Sequence, residues 1–286
     1  MSAALGTAPS RSPARQAASQ LLRSPAFLVG LFIVLFWVAC SLVGQYLVPL
    51  DPFATDLLSQ LQPPDVEHWF GTDQLGRDMF SRVIVGARDI LTVAPLATLL
   101  GVAGGTVIGL VAGYCGGLID TLISRLVDAV LALPLLIVAL MLLVALGSSA
   151  ATVILAIGLS FAPIVARTVR AATLSERHLD YVAAARLRGE NAAHIMFAEI
   201  LPNIAGPIFV EFTVRLGYAI FTVATLSFLG VGLQPPSPDW GLAIAENYAM
   251  IGGGFWWTVL FDALAIASLV VGVNLVAEGL QSVIYG

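Results

Sequence analysis

An all-α polytopic membrane protein with six transmembrane helices is the fold class this sequence predicts, and three observations carry it. Hydrophobic residues fill 58% of the 286 positions and charged residues only 11%. Mean hydropathy is +0.93, whereas an ordinary soluble domain is about 25% charged. The apolar residues gather into six runs, each near the roughly 20 residues that cross a hydrocarbon core of about 30 Å. All 13 basic residues are arginine, and they crowd into alternate connections between those runs. Without lysine the chain carries no Walker A phosphate loop, whose lysine reaches the phosphates, and no lysine nucleophile.

The first 26 residues, rich in Ser, Ala, Pro and Gln with Arg11, Arg15 and Arg23 and no acid, read as a disordered cytosolic tail. The first span is expected from Phe27 to Val48. Val38-Ala39-Cys40 faintly resembles a lipoprotein cleavage site, but Trp37 stands where leucine is usual and many spans follow, so an uncleaved span is expected. Residues 49–89 form a loop outside the membrane, acidic through Asp51, Asp56, Asp65, Glu67, Asp73 and Asp78 and broken by prolines. Within it Thr72 or Asp73 suits a helix cap. Asp73 and Asp78 are placed to pair with Arg77 and Arg82, and Met79, Phe80, Val83 and Ile84 supply the apolar face of an interfacial helix.

The second span is expected over 90–114. Gly101, Gly105, Gly109, Gly113 and Gly117 recur at every fourth residue, so they form a stripe along one face on which another helix can pack closely. Residues 116–128 read as a short cytosolic turn. The third span is expected over 129–146, followed by a tight outer turn at Gly147-Ser148-Ser149, and the fourth over 150–169, with Pro163 bending it. Arg167, Arg170 and Arg177 mark emergence into a cytosolic loop, 170–203. The fifth span, 204–229, carries Glu211 and Arg215 four residues apart, hence on one face. Unpaired charges there are costly, so the two are expected to pair, to face a water-filled route, or both. The sixth span is expected over 256–280, with Phe255, Trp256 and Trp257 in the headgroup layer.

Orientation follows from the arginines. The side holding both termini carries nine of them (Arg11, Arg15, Arg23, Arg125, Arg167, Arg170, Arg177, Arg186 and Arg188), against three (Arg77, Arg82 and Arg88) on the other. Arginine excess marks the cytosolic side, so both termini are expected there. Cys40 and Cys115, in or beside apolar runs and without CxxC spacing, read as small buried hydrophobes. His68, His178 and His194 are too dispersed to propose a metal site, and no catalytic cluster gathers at one depth.

One stretch cannot span. Tyr181 to Pro202, YVAAARLRGENAAHIMFAEILP, carries Arg186, Arg188, Glu190, His194 and Glu199. Ala183 to Ala185 form helix readily, Gly189 permits a turn, and Ala192 to Ile200 resumes helical periodicity. The stretch resembles the Glu-Ala-Ala cytoplasmic loop of binding-protein-dependent ABC importer permeases. Ala184, Ala185, Gly189, Leu201 and Pro202 fall in place, while Ala183 stands at the Glu position and Glu199 at an Ile position. HWFGTDQLGRDMFSRVIVGAR (His68 to Arg88) resembles the segment preceding the second span of dipeptide and oligopeptide permeases. TLSFLGVGLQPPSPDWG (Thr225 to Gly241) resembles another segment of the same group, and within it Gly230, Gly232, Pro235, Pro236 and Pro238 are expected to make a rigid non-helical turn. Late in the chain Phe261-Asp262 replaces a common Pro-Gly, and AEGLQS (Ala277 to Ser282) replaces the usual ending.

The resemblance implies the second, C-type, permease of the dipeptide/oligopeptide/nickel branch, with the ABC type I importer transmembrane fold in a prokaryotic cytoplasmic (inner) membrane. It implies a second homologous permease, two ATP-binding subunits and an extracytoplasmic solute-binding protein as partners, besides membrane lipid, and no nucleic acid. It also implies that residues 184, 185, 189, 201 and 202 dock onto the ATPase. This chain would bind no cofactor or metal, ATP and Mg being used by the partners. Short peptides are the expected cargo, with nickel chelates or another small solute as alternatives. From the residues alone an ion-coupled secondary transporter stays open, because Glu211, Arg215 and Asp262 are intramembrane ionisable groups.

Overall fold

A computed structural model describes residues 20–285, and among them the secondary structure is helical apart from one isolated bridge between Thr72 and Asp78. Arg11, Arg15 and most of the expected tail lie outside the described residues. Ser24 caps α1 (Pro25–Leu47) by accepting from the amide of Phe27. Few side chains of α1 are buried, and those that are include Phe27, Gly30 and Trp37, on the side facing the rest of the bundle.

The next helix departs from expectation in length. α2 runs Met79–Cys115, 37 residues, about 55 Å long, so the segment read as a separate interfacial helix is its first three turns. Its cap is neither Thr72 nor Asp73 but Asp78, whose carboxylate accepts from Ser81 N at 2.8 Å. The expected turn at 116–128 is likewise a helix, α3 (Gly117–Leu131), and the third span is broken. α3 and α4 (Leu135–Leu146) meet at 88°. Pro134 stands at the N-cap position of α4 without a capping hydrogen bond; its ring disfavours helical conformation at the preceding residue, and it has no N–H to continue a ladder. Twelve residues of α4 reach only about 18 Å, short of a hydrocarbon core.

α5 (Ala150–Glu176) starts in a reciprocal cap between Ser149 and Thr152 and continues past Pro163, seven residues beyond the expected end. After the 177–204 segment come α7 (Ala205–Phe228), a loop, α8 (Trp240–Asn247), a 3-10 turn (Tyr248–Gly253) and α9 (Trp257–Tyr285). Residues 229–239, which include Gly230, Gly232, Pro235, Pro236 and Pro238, are non-helical as expected, between the end of α7 at Phe228 and the start of α8 at Trp240. Among the described residues, five helices are long and apolar enough to cross a membrane, six if the bent pair counts as one span.

The glycine stripe builds the main seam. A Cβ on Gly101 would lie 2.8 Å from that of Phe161, on Gly105 2.6 Å from that of Val165, on Gly109 2.7 Å from that of Val169, and on Gly113 2.6 Å from that of Thr173. Four glycines one turn apart thus seat α2 against α5 of the same chain. Close backbone approach lets dispersion contacts do what the hydrophobic effect cannot do between helices in lipid. The fifth member, Gly117, meets nothing within 4 Å, because the chain has turned into α3.

Two apolar cores flank the seam. The larger joins Trp37, Ile90, Phe161, Ile220 and Trp240. The smaller joins Leu110 and Val169 to Val182, Ala185, Ile195 and Ile200 of the 177–204 segment. Trp257, expected in the headgroup layer, is instead buried and donates to the carbonyl of Thr72, while Trp256 stays half exposed. Cys115 is exposed rather than buried, and Cys40 is partly buried.

Candidate coupling and translocation sites

The 177–204 segment folds as a helical turn. α6 (Asp180–Leu187) is followed by Arg188-Gly189-Glu190, then by α-helix (Ala192–His194), π-helix (Ile195–Ile200) and a last α turn (Leu201–Asn203). Gly189 has φ +78°, a left-handed conformation that costs a residue with a Cβ about 1–2 kcal/mol. Asn191 caps the second arm by accepting from His194 N at 2.7 Å.

Small residues divide between two faces. Val182 and Ala185 point into the core with Ile195 and Ile200, whereas Ala183, Ala184, Gly189 and Pro202 are exposed and Leu201 is half-buried. Leu187 (89% exposed) and Phe197 (45% exposed) add two large apolar side chains to what the turn exposes, alongside the alanines. It is held to the bundle from several directions. Arg186 lies over the Tyr114 ring at 5.1 Å, Arg177 donates to the carbonyl of Gly113 at 2.8 Å, and Tyr181 donates to Glu176 at 2.6 Å. Burial and the Glu176 carboxylate push the Tyr181 hydroxyl up to about 12, so it remains a donor at neutral pH.

Glu190, His194 and Glu199 bring donor atoms within 4.8 Å of one another, a cluster their spacing concealed. Its centre is already served by a cation. Arg188 donates to Glu190 at 2.7 Å and to Glu199 at 3.1 Å, cross-linking the two arms of the turn.

Glu211 and Arg215 lie on α7, away from the turn. Arg215 Nε donates to Glu211 Oε2 at 3.0 Å and Thr168 Oγ1 donates to Glu211 Oε1 at 2.7 Å, with both charged side chains about 15% exposed (16% and 14%). The pair is mutually satisfied and stitches α7 to α5. Thr168 was not singled out by sequence, since nothing local marks its role.

At the opposite end of the bundle, the loop before α2 is organised by charge. Arg77 donates to Asp73 at 2.6 Å and to Glu246 at 2.6 Å, and Asp78 pairs with His68 at 3.0 Å rather than with an arginine. Arg82, 1% exposed, sits 4.0 Å from Asp73 and 3.9 Å from Glu246, with fully buried Asp262 of α9 in electrostatic reach. Glu246, 169 residues from Arg77, is invisible to a local reading.

Known proteins match this chain over most of its length. Residues 105–285 match the binding-protein-dependent transport system inner membrane component, and residues 12–64 match the N-terminal TM domain of oligopeptide transport permease C. The chain is 38% identical over 270 residues to the dipeptide transport system permease protein of Alkalihalophilus pseudofirmus, covering 94% of this chain and 88% of that protein. It is 36% identical over 273 residues to the dipeptide transport system permease protein of Bacillus subtilis (96% and 85% covered). A glutathione transport system permease protein of Pectobacterium atrosepticum is 38% identical over 276 residues (95% and 90% covered).

Proposed function

The chain belongs to the family of binding-protein-dependent transport system inner membrane components, as a C-type permease of peptide transport systems in the cytoplasmic membrane, and from that premise we propose that it forms half of an ATP-driven route for short peptides. A second homologous permease supplies the other half. An extracytoplasmic binding protein delivers the solute, and two partner subunits hydrolyse ATP with Mg, so that this chain is a non-catalytic subunit holding no cofactor of its own. Both termini and the turn face the cytosol in this reading.

The observation that carries the proposal is the turn around Gly189. Its exposed face of Ala183, Ala184, Leu187 and Phe197 suits a cleft on an ATPase. Its buried face of Val182, Ala185, Ile195 and Ile200 is packed onto α2 and α5. A push on the exposed face would move the ends of the two helices that share the glycine seam, because close-packed interiors transmit displacement rather than absorb it. Residues 184, 189, 201 and 202 would meet the ATPase, and Ala185 would fix the turn from within.

The test is uptake in vesicles holding the complete complex with its binding protein. ATP-dependent accumulation of labelled di- and tripeptides is expected. Accumulation of nickel chelates but not peptides would move the cargo to the alternative. Peptide uptake driven by an ion gradient without ATP would reject the importer.

A further inference from the structure

At the end of the bundle away from the turn, the charge cluster around Arg77 leaves two buried ionisable side chains over. Arg82 of α2 donates only through Nη1, to the carbonyl of Pro52 at 3.3 Å. Its Nε and Nη2 are enclosed and reach no acceptor among the described residues. The carboxylates of Asp73 and Glu246 stand 4.0 and 3.9 Å from Arg82, and Arg77 already holds each of them at 2.6 Å. Asp262 of α9 is fully buried, and neither of its carboxylate oxygens receives a hydrogen bond from the described residues. Arg82 and Asp262 lie close enough to act on each other's charge without forming an ion pair.

Buried polar groups in folded proteins nearly always find a partner, and ionisable groups retained among membrane helices point to function. Here the unmet groups are complementary. Nε and Nη2 form the edge of a guanidinium that takes a carboxylate side-on, and Arg170 uses the same two nitrogens to grip both oxygens of Asp120. Asp262 offers two bare oxygens for such a fork.

The two halves of α9 are seated differently. The second half is locked to α1 by close backbone approach. A Cβ on Gly272 would lie 2.9 Å from Ile33, one on Gly279 2.6 Å from Phe27, and one on Gly30 of α1 2.6 Å from Leu275. The first half, from Trp257 to Val271, has no glycine. It rests on the stack of Phe261 against Phe70 at 3.8 Å and on hydrogen bonds from Trp257 to Thr72 and from Trp37 to Ser268. Stacked rings slide more readily than interlocked backbones, and packed helices commonly switch by such small shear. The half of α9 that carries Asp262 is the half able to close on α2.

We propose that Arg82 and Asp262 form a latch between α2 and α9, open in this structure and joined directly in the alternate state of the transport cycle. The inference rests on the permease reading, in which this end of the bundle must open and close to pass a solute. Arg77 keeps the loop and α8 together through Asp73 and Glu246, which leaves Arg82 as the cation able to exchange.

The test compares wild type, Asp262→Asn, Arg82→Gln and the double variant in the complex assembled with the second permease and the ATPase subunits. Melting temperature in detergent is measured without nucleotide and after trapping with Mg-ATP and orthovanadate. The coupling between the two substitutions should be at least about 4 °C in one state and near zero in the other. In the uncoupled state Asp262→Asn should melt no lower than wild type, because it neutralises a carboxylate that nothing there binds. Coupling in neither state overturns the proposal, and so does equal coupling in both, the mark of a fixed structural pair. Should Arg82→Gln prevent assembly, Asp262→Asn alone decides: an effect confined to one state supports the latch, and the same effect in both overturns it. Failure of Asp262→Asn itself to assemble also overturns it. Dipeptide uptake by the wild-type complex with its binding protein separates the two levels. Uptake without state-dependent coupling rejects the latch alone, and no uptake rejects the peptide-permease reading beneath it.

Discussion

Glu211 and Arg215, one helical turn apart on α7, hold each other at 3.0 Å while Thr168 of α5 occupies the second carboxylate oxygen. The arrangement is that of a helix-to-helix clasp. Arg215→Ala strands the carboxylate, and breaking a buried pair costs about 3–5 kcal/mol. Adding Glu211→Ala should restore most of the thermal stability and near wild-type peptide uptake. A double variant that folds and hydrolyses ATP yet transports poorly would instead put the pair on the solute route.

The seam between α2 and α5 offers a comparison between adjacent glycines. A Cβ on Gly105 meets Val165 at 2.6 Å, while one on Gly104 meets Ala162 at 3.8 Å, ordinary contact. Gly105→Ala should lower the detergent melting temperature and the yield of folded protein, since overpacking costs about 1–3 kcal/mol. Gly104→Ala should be neutral or slightly stabilising, because alanine favours helix over glycine. Gly147 is a poor control for larger side chains despite its open surroundings, because its φ is +84°; Gly252 has both open space and ordinary φ. Equal effects at 104 and 105 would show that the seam does not depend on contact.

Gly189 isolates conformation from contact. Nothing lies within 4 Å of a Cβ built there, yet φ is +78°. Gly189→Val should reduce solute-stimulated ATP hydrolysis by the complex several-fold without preventing assembly of the permeases. Gly189→Asn should retain most of it, because asparagine visits the left-handed region readily. Unchanged stimulation in the valine variant would remove the turn from the coupling route.

Arg77 joins Asp73 and Glu246, and neither carboxylate has a comparable second cation, since Arg82 stays at 3.9 Å or more. Arg77→Ala should destabilise the full chain by about 3–5 kcal/mol through two stranded acids. Arg77→Lys should recover only part, lacking the fork that reaches both. Chemical-denaturant or thermal unfolding of the three proteins in one detergent decides it.

Asp239 caps α8 by accepting from Leu242 N at 2.9 Å, and burial pushes its carboxyl up to about 6. A folded value above the unfolded one near 4 means that the protonated form is preferred on folding. Its contribution is full below about pH 4 and is lost as pH rises through about 6. Asp239→Asn keeps a capping oxygen without the titration. The difference in melting temperature, wild type minus variant, should therefore fall between pH 4 and pH 6.5 and be flat above. A difference that rises across that window would reverse the assignment.

The membrane class, the near-complete set of spans and the glycine seam were legible because each follows from residue spacing along one helix. The turn at Gly189 was legible for the same reason, its alanines, glycine and proline lying within 22 residues of sequence (Tyr181 to Pro202). What sequence concealed was length and partnership. α2 absorbed Met79 to Asp89 because Asp78 supplied its cap while the Arg77 cluster anchored the loop before it. The third span broke at Ala132 to Pro134, although the residues after it form one of the most apolar runs in the chain. Hydropathy records transfer into lipid and not the direction of a helix axis.

Composition and helical periodicity by themselves determined that this chain lives in a membrane and which face of α2 is smooth enough to pack. Only the tertiary structure decided what those faces meet: α5 against the glycines, Thr168 against Glu211, and Glu246 against Arg77. The reason is physical. Burial and helix formation are set by each residue's own transfer and local conformational preferences, whereas a charge acquires its partner from elements tens to hundreds of residues away, and only the folded chain brings them within reach.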